Sequence, residues 1–356
     1  MSEESLKKER KFFLFIAYLQ IIGIILVVMG HSFHEYPGGD EGKGMLWYRM
    51  LFTVRMPLFM FVSGFLMAFT TSRKSIGWGS FAMGKVKRLM VPYLVLTIIT
   101  FVPRALMSGL ADDVVELSWT GLWESLIDPG EHGMAYFWFI QSSFTLLVVI
   151  YAILSVCRKA GIKPEVFYGV ICAGIILLNL IPVTWPDFFS IRDTVRLGIY
   201  FIFGCVYSTW QNRIDRVVSW ENPLVFISFV VLWITFFFVS DKYGDTVFCC
   251  SIFGIMMMIS LAKILEDRNI TVLKHLQGAN YIIFLLSWYF NVACQQVLHH
   301  FTDMPWWIYS LLSFTLGIYV PWLFYKWMCR HPDNRFSRWS AFLLGQSLKD
   351  RNRKTG

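Results

Sequence analysis

Charged side chains are scarce in this sequence. Only 16% of its 356 residues are Asp, Glu, Lys or Arg, whereas about 25% is usual in soluble proteins. Long polar stretches are also missing, the longest being the one that follows Met328. Both absences argue against a soluble protein and against a separate soluble domain. We therefore predict that residues 1–356 form a single membrane domain.

Features of secreted proteins are missing too. None of the seven cysteines lies in a predicted outside loop, so the sequence implies no disulfide framework and indicates small apolar packing residues. The first apolar run is too long for a signal peptide, and Gly30-His31-Ser32-Phe33-His34 is not a small-residue cleavage site. Residues 1–11 are therefore expected to remain attached as a cytoplasmic leader.

Long apolar runs are what the sequence has in quantity, and 56% of its residues are hydrophobic. About 20 mostly apolar residues are needed to cross the ~30 Å hydrocarbon core of a bilayer. We predict an all-α fold, a polytopic integral membrane bundle of ten helices over residues 12–328, followed by a basic tail at 329–356. The predicted spans are 12–33, 49–70, 89–107, 134–157, 165–183, 192–209, 223–240, 245–264, 277–298 and 305–328.

Basic residues cluster in alternate connecting segments. The clusters lie in residues 1–11, 71–88, 158–164, 210–222 and 265–276 and in the tail, and together they hold most of the 32 Lys and Arg residues. This asymmetry predicts that both termini lie in the cytoplasm. Because the clusters are short and dispersed, the net charge of +8 indicates membrane orientation, with membrane lipid as a partner and no nucleic acid.

Two polar side chains share one face of the first predicted span. Gln20 and His31 are eleven residues apart, which is three turns plus about 20° at ~100° per residue. A rise of ~1.5 Å per residue separates them by about 16 Å along the helix. The predicted polar stripe runs from mid-membrane to the outer surface.

Arg55 lies six residues into the second predicted span, about 9 Å deep and near the level of His31. A cation at that depth costs about 2.5 to 3.5 kcal/mol, so such groups usually face a protein interior or a water-filled cavity. We predict that Arg55 and His31 are neighbours; the alternative is that Arg55 snorkels to the outer headgroups. Pro57 would release a backbone carbonyl, and Ser63-Gly64 would permit close helix contact.

Three interpretations of His31 are open. It is an interfacial histidine without a task, or a metal ligand together with His34 and Glu35, or a general base. The metal interpretation has too few ligands in sight. A neighbouring cation and a partly dry site both favour the neutral imidazole, which suits a base. We favour the base and predict no metal.

The first helix resembles that of a known family. Leu19-Gln20-Ile21 and Val27-Val28-Met29-Gly30-His31 are similar to the start and finish of the opening helix in membrane-bound acyltransferase family 3. These are the integral membrane O-acyltransferases that modify surface glycans. The family's helix carries Arg, ten residues and then His. The histidine matches at His31, whereas Gln20 occupies the position of the arginine.

Further segments follow the order of the family's motifs along the chain. Residues 56–65 resemble the Pro-Leu-Phe-Phe-x-x-Ser-Gly segment, with Arg55 where relatives similar to fucose 4-O-acetylases often have His. Residues 87–93 resemble its Arg-x-x-x-Pro-Tyr segment, and residues 136–140 its Leu-Trp-Phe-Leu segment. Ser287 replaces a histidine of the family, so it is assigned no catalytic role.

The resemblance implies acyl transfer from cytoplasmic acyl-CoA, most often acetyl-CoA, to a hydroxyl of a surface or secreted polysaccharide or its lipid-linked precursor. It implies that His31 acts as the base, or is itself acylated, and that Arg55 stabilises the oxyanion. It also implies the cytoplasmic (inner) membrane of a bacterium.

Other candidate residues are compatible with this chemistry. The pantetheine arm of acyl-CoA would pass Gln20, and basic residues of the inner face would pair with the CoA phosphates, or would only fix topology. They are Arg73, Lys74, Lys85, Lys87 and Arg88, with Arg88 preferred. Candidates for acceptor binding are Ser63, Trp138, which is otherwise a core aromatic, and Arg196, which otherwise pairs with Asp193 at i,i+3.

A different class of function stays open at this point. The ten predicted spans and the intramembrane Arg55 and Arg196 are also compatible with a transporter or flippase for a glycan or lipid-linked sugar. A structural membrane scaffold is a third interpretation. No sequence pattern specifies the acceptor sugar or the acyl length. The oligomeric state is equally unspecified, so a homo-oligomer is possible.

Overall fold

The computed structural model describes residues 3–33, 45–106, 116–130, 132–134, 137–181, 184–243 and 247–347. Within these ranges every regular element is a helix, as the sequence predicts. The α-helices are α1 Glu3–Ser32, α2 Leu46–Arg73, α3 Trp78–Lys85, α4 Val91–Leu106, α5 Trp119–Ile127, α6 Trp138–Lys159, α7 Pro164–Leu180, α8 Ile191–Val217, α9 Pro223–Tyr243, α10 Val247–Asp267, α11 Asn280–Val292, α12 Leu298–Phe301, α13 Trp306–Arg330 and α14 Arg335–Leu343. Two π-helical segments, Val86–Met90 and Ala293–Val297, and two 3-10 turns, Phe188–Ser190 and Val272–Leu276, lie between them.

Eight helical stretches of the described residues are long and apolar enough to cross a membrane. They are Leu14–Ser32, Leu46–Arg73, Trp78–Leu106, Trp138–Lys159, Pro223–Lys242, Val247–Asp267, Asn280–Phe301 and Trp306–Arg330. The predicted span 165–183 is helical as far as Leu180, but α7 has only 17 residues. The predicted span 192–209 lies within α8, which carries charges near both ends. The chain is a multi-pass membrane protein; the ten spans and the cytoplasmic termini stay predictions.

The connecting segment 71–88 contains a helix that the sequence analysis did not predict. α3 begins at Trp78, and the π-helical segment Val86–Met90 joins it to α4 without a break. The helical run that contains the third predicted span, 89–107, therefore begins earlier in the chain, at Trp78. Apolar side chains among the basic ones explain the helix, because Phe81 is buried against Tyr151 with ring centroids 4.2 Å apart.

The described contacts divide the chain into two compact units. Unit 1 comprises Met1–Lys74, Pro164–Ala173 and Leu197–Phe284, and unit 2 comprises Ser75–Lys163, Gly174–Arg196 and Leu285–Gly356. In unit 1, helices α1, α2 and α10 pack on one another, and α9 packs on α10. In unit 2, α6 packs on α3, α5 packs on α4, and α13 packs on α14.

Pro57 lies inside α2 and cannot donate a hydrogen bond to the carbonyl of Thr53, one turn earlier. Ser251 of α10 replaces that donor, since its Oγ donates to the Thr53 carbonyl at 2.7 Å. Trp233 of α9 donates from Nε1 to the Thr53 hydroxyl at 3.0 Å. The carbonyl that the sequence predicts to be released is thus satisfied from another helix, two residues before Arg55.

The backbones of α2 and α8 touch where the sequence predicts close contact at Ser63-Gly64. A Cβ at Gly64 would lie 2.7 Å from the carbonyl carbon of Phe201. A Cβ at Gly204 would lie 2.8 Å from the carbonyl carbon of Phe61. Small residues permit such a close approach of two helices, and here one glycine from each helix provides it.

The cysteines lie in helices and are free thiols. All seven belong to the described residues, and Cys205, Cys250 and Cys294 are buried. Cys205 Sγ donates to the carbonyl of Gly64 at 3.3 Å. The buried cysteines therefore act as small packing residues, and one of them contributes to the contact between α2 and α8.

Candidate functional site

Arg55 is a buried cation inside α2, with 4% of its surface exposed. It therefore does not snorkel to the outer headgroups. Its Cζ lies 3.6 Å from the ring centroid of Phe52, one turn earlier on the same helix. Within the described part of the chain, the buried Nε and Nη1 atoms have no hydrogen-bond acceptor. The guanidinium is held by packing and by a polar interaction with Tyr48 of the same helix, and in that part of the chain its Nε and Nη1 atoms remain as unfilled donors.

Gly30 makes room for this guanidinium on α1. A Cβ at Gly30 would clash with Arg55 Nη1 and would lie 3.1 Å from Arg55 Cζ. Gly30 directly precedes His31, which is half-buried in the last turn of α1. The structure thus brings the arginine of the second span against the residue that precedes the histidine of the first.

α1 ends at Ser32, whose hydroxyl donates back to the carbonyl of Val28 at 2.8 Å. His34 and Glu35, which the metal interpretation of His31 requires, lie outside the described residues. Over the ranges that the structure describes, no group of three His, Cys, Asp or Glu side chains is placed to hold a metal ion.

Two further predicted residues lie on the helices that carry His31 and Arg55. Gln20 is half-buried on α1, and Ser63 is half-buried on α2. Gln20 therefore remains on the helix face that it shares with His31. Ser63 lies eight residues beyond Arg55, about 12 Å along the axis of α2.

In unit 1 the predicted phosphate-binding residues lie at the C-terminal end of α2. Arg73 and Lys74 are both exposed. Arg73 Cζ lies 4.0 Å from the ring centroid of Phe69, so its guanidinium stacks on an aromatic face. The remaining predicted phosphate-binding residues belong to unit 2.

In unit 2, Lys85, Lys87 and Arg88 follow one another on the helical run from α3 into α4. Lys87 and Arg88 are exposed, whereas Lys85 is half-buried with Nζ 4.9 Å from the ring centroid of Phe81. The π-helical turn Val86–Met90 carries two of the three cations, and π-helical turns are frequent at functional sites.

Trp138 and Arg196 also belong to unit 2. Trp138 is half-buried at the start of α6, with its ring 6.1 Å from that of Phe139 in an edge-to-face arrangement. Arg196 Nη2 lies 3.4 Å from Asp193 Oδ1, and its side chain is 68% exposed. The i,i+3 pair, which was the alternative to acceptor binding by Arg196, is therefore present.

Sequence analysis missed a buried polar network in unit 2. Gln141 is fully buried in α6, and its Nε2 donates to the hydroxyl of Tyr93 at 3.0 Å and to the carbonyl of Leu126 at 3.1 Å. Ser190 Oγ donates to Gln141 Oε1 at 2.7 Å. Gln141 is an amide inside the apolar run that begins with Trp138, and this position could have indicated the network from the sequence.

The described apolar helices and the buried Arg55 beside Gly30 are compatible with an integral membrane acyltransferase, and a family match supports that class. The chain belongs to acyltransferase family 3, since the family's acyltransferase domain model matches residues 13–326. This match confirms the resemblance seen in the sequence and supports an acyltransferase rather than a transporter or a scaffold. Neither a curated protein nor a solved structure matches the chain significantly.

Proposed function

We propose that this membrane acyltransferase transfers an acyl group, and specifically acetyl, from cytoplasmic acyl-CoA to a hydroxyl of a surface or secreted polysaccharide or its lipid-linked precursor. The observation that carries the proposal is the contact of Arg55 with Gly30, next to His31. A buried cation with unfilled donors among the described residues is suited to an anion that forms only during the reaction.

In the proposed reaction, His31 accepts the proton of the acceptor hydroxyl as the hydroxyl oxygen attacks the thioester carbonyl carbon. The carbonyl oxygen becomes an oxyanion, and Arg55 donates to it; such a preorganised donor contributes about 3 to 4 kcal/mol. The carbon–sulfur bond then breaks. The CoA thiolate leaves and takes the proton from the imidazolium, and the acyl ester remains on the acceptor.

Binding of the donor is assigned to an amide and to exposed cations. Gln20 supplies a hydrogen bond to the pantetheine arm of acyl-CoA, since it shares a helix face with His31. Cations pair with the CoA phosphates through charge-assisted hydrogen bonds, and the candidates are Arg88, Arg73, Lys74, Lys85 and Lys87.

Binding of the acceptor is assigned to Ser63, Trp138 and Arg196. A hydroxyl and a half-buried indole suit a sugar, which offers both hydroxyl groups and an apolar ring face. Arg196 must leave Asp193 to take part, and its exposed side chain is free to move away into solvent.

The proposed location is the inner membrane of a bacterium with both termini in the cytoplasm. The basic connecting segments support that orientation. It gives the donor-binding cations access to acyl-CoA, which is made in the cytoplasm.

The test uses the full chain in lipid nanodiscs. Purified protein should hydrolyse acetyl-CoA slowly, and cells that contain it should show O-acetyl groups on their glycan by NMR. His31→Ala should abolish both signals, whereas His275→Ala, which removes an exposed imidazole, should leave both unchanged. A folded His31→Ala protein with wild-type O-acetylation would refute the proposal.

A second measurement separates direct transfer from an acyl-histidine intermediate. Wild-type protein is mixed with radiolabelled acetyl-CoA and denatured rapidly. Direct transfer leaves no label on the protein, whereas acylation of His31 leaves label that His31→Ala removes.

A further inference from the structure

The nine-residue helix α14 buries its small polar side chains and exposes its aromatic ones. Its inward positions are Ser337, Ser340 and Ala341, and Leu344, directly after the helix, continues their i, i+3, i+4, i+7 spacing; all four are buried. Phe336, Trp339 and Phe342 are 62%, 65% and 56% exposed. In a water-soluble helix the two faces would be exchanged.

Specific contacts fix α14 in this orientation. Ser337 Oγ donates to the carbonyl of Met328 at 2.9 Å, so the small polar face is bonded to the end of α13. Asn334 Oδ1 caps the helix by accepting from the backbone N–H of Phe336 at 2.8 Å. After the helix, Gly345 has φ 63°, and a Cβ there would lie 2.9 Å from Pro92 Cγ of α4. α14 therefore cannot turn its aromatic side chains inward without breaking these contacts.

A wide, open cavity of about 490 Å³, more a surface depression than an enclosed pocket, lies along the exposed face of α14. It is lined by Arg335, Arg338, Trp339 and Phe342, which again have the spacing of one helix face. Both arginines are exposed, and among the described residues neither forms an ion pair. The cavity thus combines two unneutralised guanidinium groups with two apolar rings.

The place of α14 in the chain identifies what covers this face. α13, the last candidate span, ends at Arg330, and α14 begins at Arg335. A helix that follows a span so closely lies at the membrane surface. α13 itself exposes apolar side chains, among them Leu316, Val320 and Leu323, and a membrane span presents such side chains to lipid. Lipid is therefore the cover that the position of α14 in the chain favours.

Charge specifies the lipid further. Arginine side chains bind phosphate with paired hydrogen bonds, and tryptophan and phenylalanine favour the boundary between headgroups and acyl chains. Beyond α14 the sequence adds Lys349, Arg351, Arg353 and Lys354, and such basic segments attract anionic lipid surfaces. We propose that the cavity on α14 binds the phosphate of an anionic phospholipid through Arg335 and Arg338, with Trp339 and Phe342 inserted beside its acyl chains.

The first test measures the environment of the aromatic face. Phe342→Cys is labelled with an NBD fluorophore in a background in which Ser replaces the accessible cysteines, Cys157, Cys172, Cys249 and Cys329. The full chain is then placed in nanodiscs. The label should show blue-shifted emission and should be quenched by lipids that carry a doxyl group near the headgroup. The same label on Asp333→Cys, in the exposed turn before α14, should keep the emission of a probe in water.

The second test measures lipid selectivity. Protein extracted from nanodiscs of phosphatidylcholine and phosphatidylglycerol is analysed by native mass spectrometry. Retention of phosphatidylglycerol should fall by about fivefold for each arginine removed in Arg335→Gln and Arg338→Gln. Arg335→Lys with Arg338→Lys should keep most of the selectivity, and Arg268→Gln, another exposed arginine, should keep all of it.

Three results would overturn the proposal. The first is a label at position 342 that reports water in nanodiscs of every composition. The second is saturable binding of free CoA to lipid-depleted protein that Arg335→Gln and Arg338→Gln abolish, which would assign the cavity to a nucleotide. The third is a blue shift in detergent that grows with protein concentration, which would assign the face to a second copy of the chain.

Discussion

The guanidinium of Arg55 occupies the space that a side chain at position 30 would fill. Because residue 30 is glycine, the cation of α2 lies directly against the last turn of α1, one residue before His31. The position of the Arg55 guanidinium relative to His31 therefore depends on glycine at position 30 as much as on the arginine itself.

Gly30→Ala should disable the enzyme without unfolding it. The new methyl group must displace Arg55, and a shift of about 1 Å in a catalytic group can lower the rate by about 100-fold. We expect that fall in acetyl-CoA hydrolysis, with a normal elution profile in size-exclusion chromatography. Gly169→Ala is the matched control, because a Cβ at that helical glycine would meet nothing within 4 Å. Equal activities of the two variants would contradict the role given to the contact.

Arg55→Leu should lose activity and keep or gain stability. Removing an oxyanion donor costs about 100- to 1000-fold in rate. An apolar side chain in place of a buried cation with unfilled donors also removes a desolvation penalty. Acetyl-CoA hydrolysis and thermal unfolding in detergent measure the two effects.

Arg49→Leu serves as the control for Arg55→Leu, because Arg49 is an exposed residue of α2 paired with Asp241. Its loss should change the activity by less than about twofold. A strongly destabilised Arg55→Leu protein would show that the guanidinium is needed for folding.

Pro57 and Ser251 should be energetically coupled through the Thr53 carbonyl. Ser251→Ala leaves that buried carbonyl without its donor and should cost about 1 to 3 kcal/mol of unfolding free energy. In a Pro57→Ala background the restored N–H can donate instead, so the same substitution should cost less. A double-mutant cycle by thermal unfolding measures the difference.

Ser228→Ala provides the comparison for this cycle, since Ser228 is an exposed serine that donates to its own helix at 2.8 Å. It should change stability by less than about 0.5 kcal/mol. Additive effects of Pro57→Ala and Ser251→Ala would show that Ser251 does not replace the missing donor.

Gln141→Leu should destabilise unit 2. The substitution removes the acceptor of the Ser190 hydroxyl and a donor to Tyr93, which should cost about 1 to 3 kcal/mol. Gln277→Leu, at an exposed amide, should leave the thermal midpoint unchanged. Amide hydrogen exchange of residues 188–190 gives a local measurement. Unchanged exchange protection of these residues would show that the Gln141 network does not stabilise this turn.

Much of the helical architecture could be predicted, because spans, proline and small-residue pairs have physical effects that depend on few neighbours. Pro57 releases the Thr53 carbonyl whatever surrounds it, and only the identity of the new donor, Ser251, required the structure. Likewise the depth of Arg55 could be estimated from its place in the span, whereas its contact with Gly30 depends on how α1 and α2 rotate against each other.

Helices α3 and α14 were not predicted, because the many basic residues of their segments indicated connecting or tail segments. In the segment 71–88 the apolar Phe81 was outweighed by its charged neighbours, although it is the residue that anchors α3. In the tail, Ser337 and Trp339 lie on opposite faces of α14. The amphipathic periodicity of that segment is present in the sequence, but the basic residues of the tail obscure it. The roles of Trp138 and Arg196 depend on an acceptor that no residue pattern specifies, so they stay predictions.

The close approach of α2 and α8, at Gly64 against Phe201 and at Gly204 against Phe61, has a mechanical consequence. Two helices that meet backbone to backbone cannot slide along each other, because a shift of one residue would bring the ring of Phe65 or of Phe203 to a point with room for a hydrogen atom only. α2 and α8 therefore keep one fixed register, and during turnover the two helices must move together as a rigid pair.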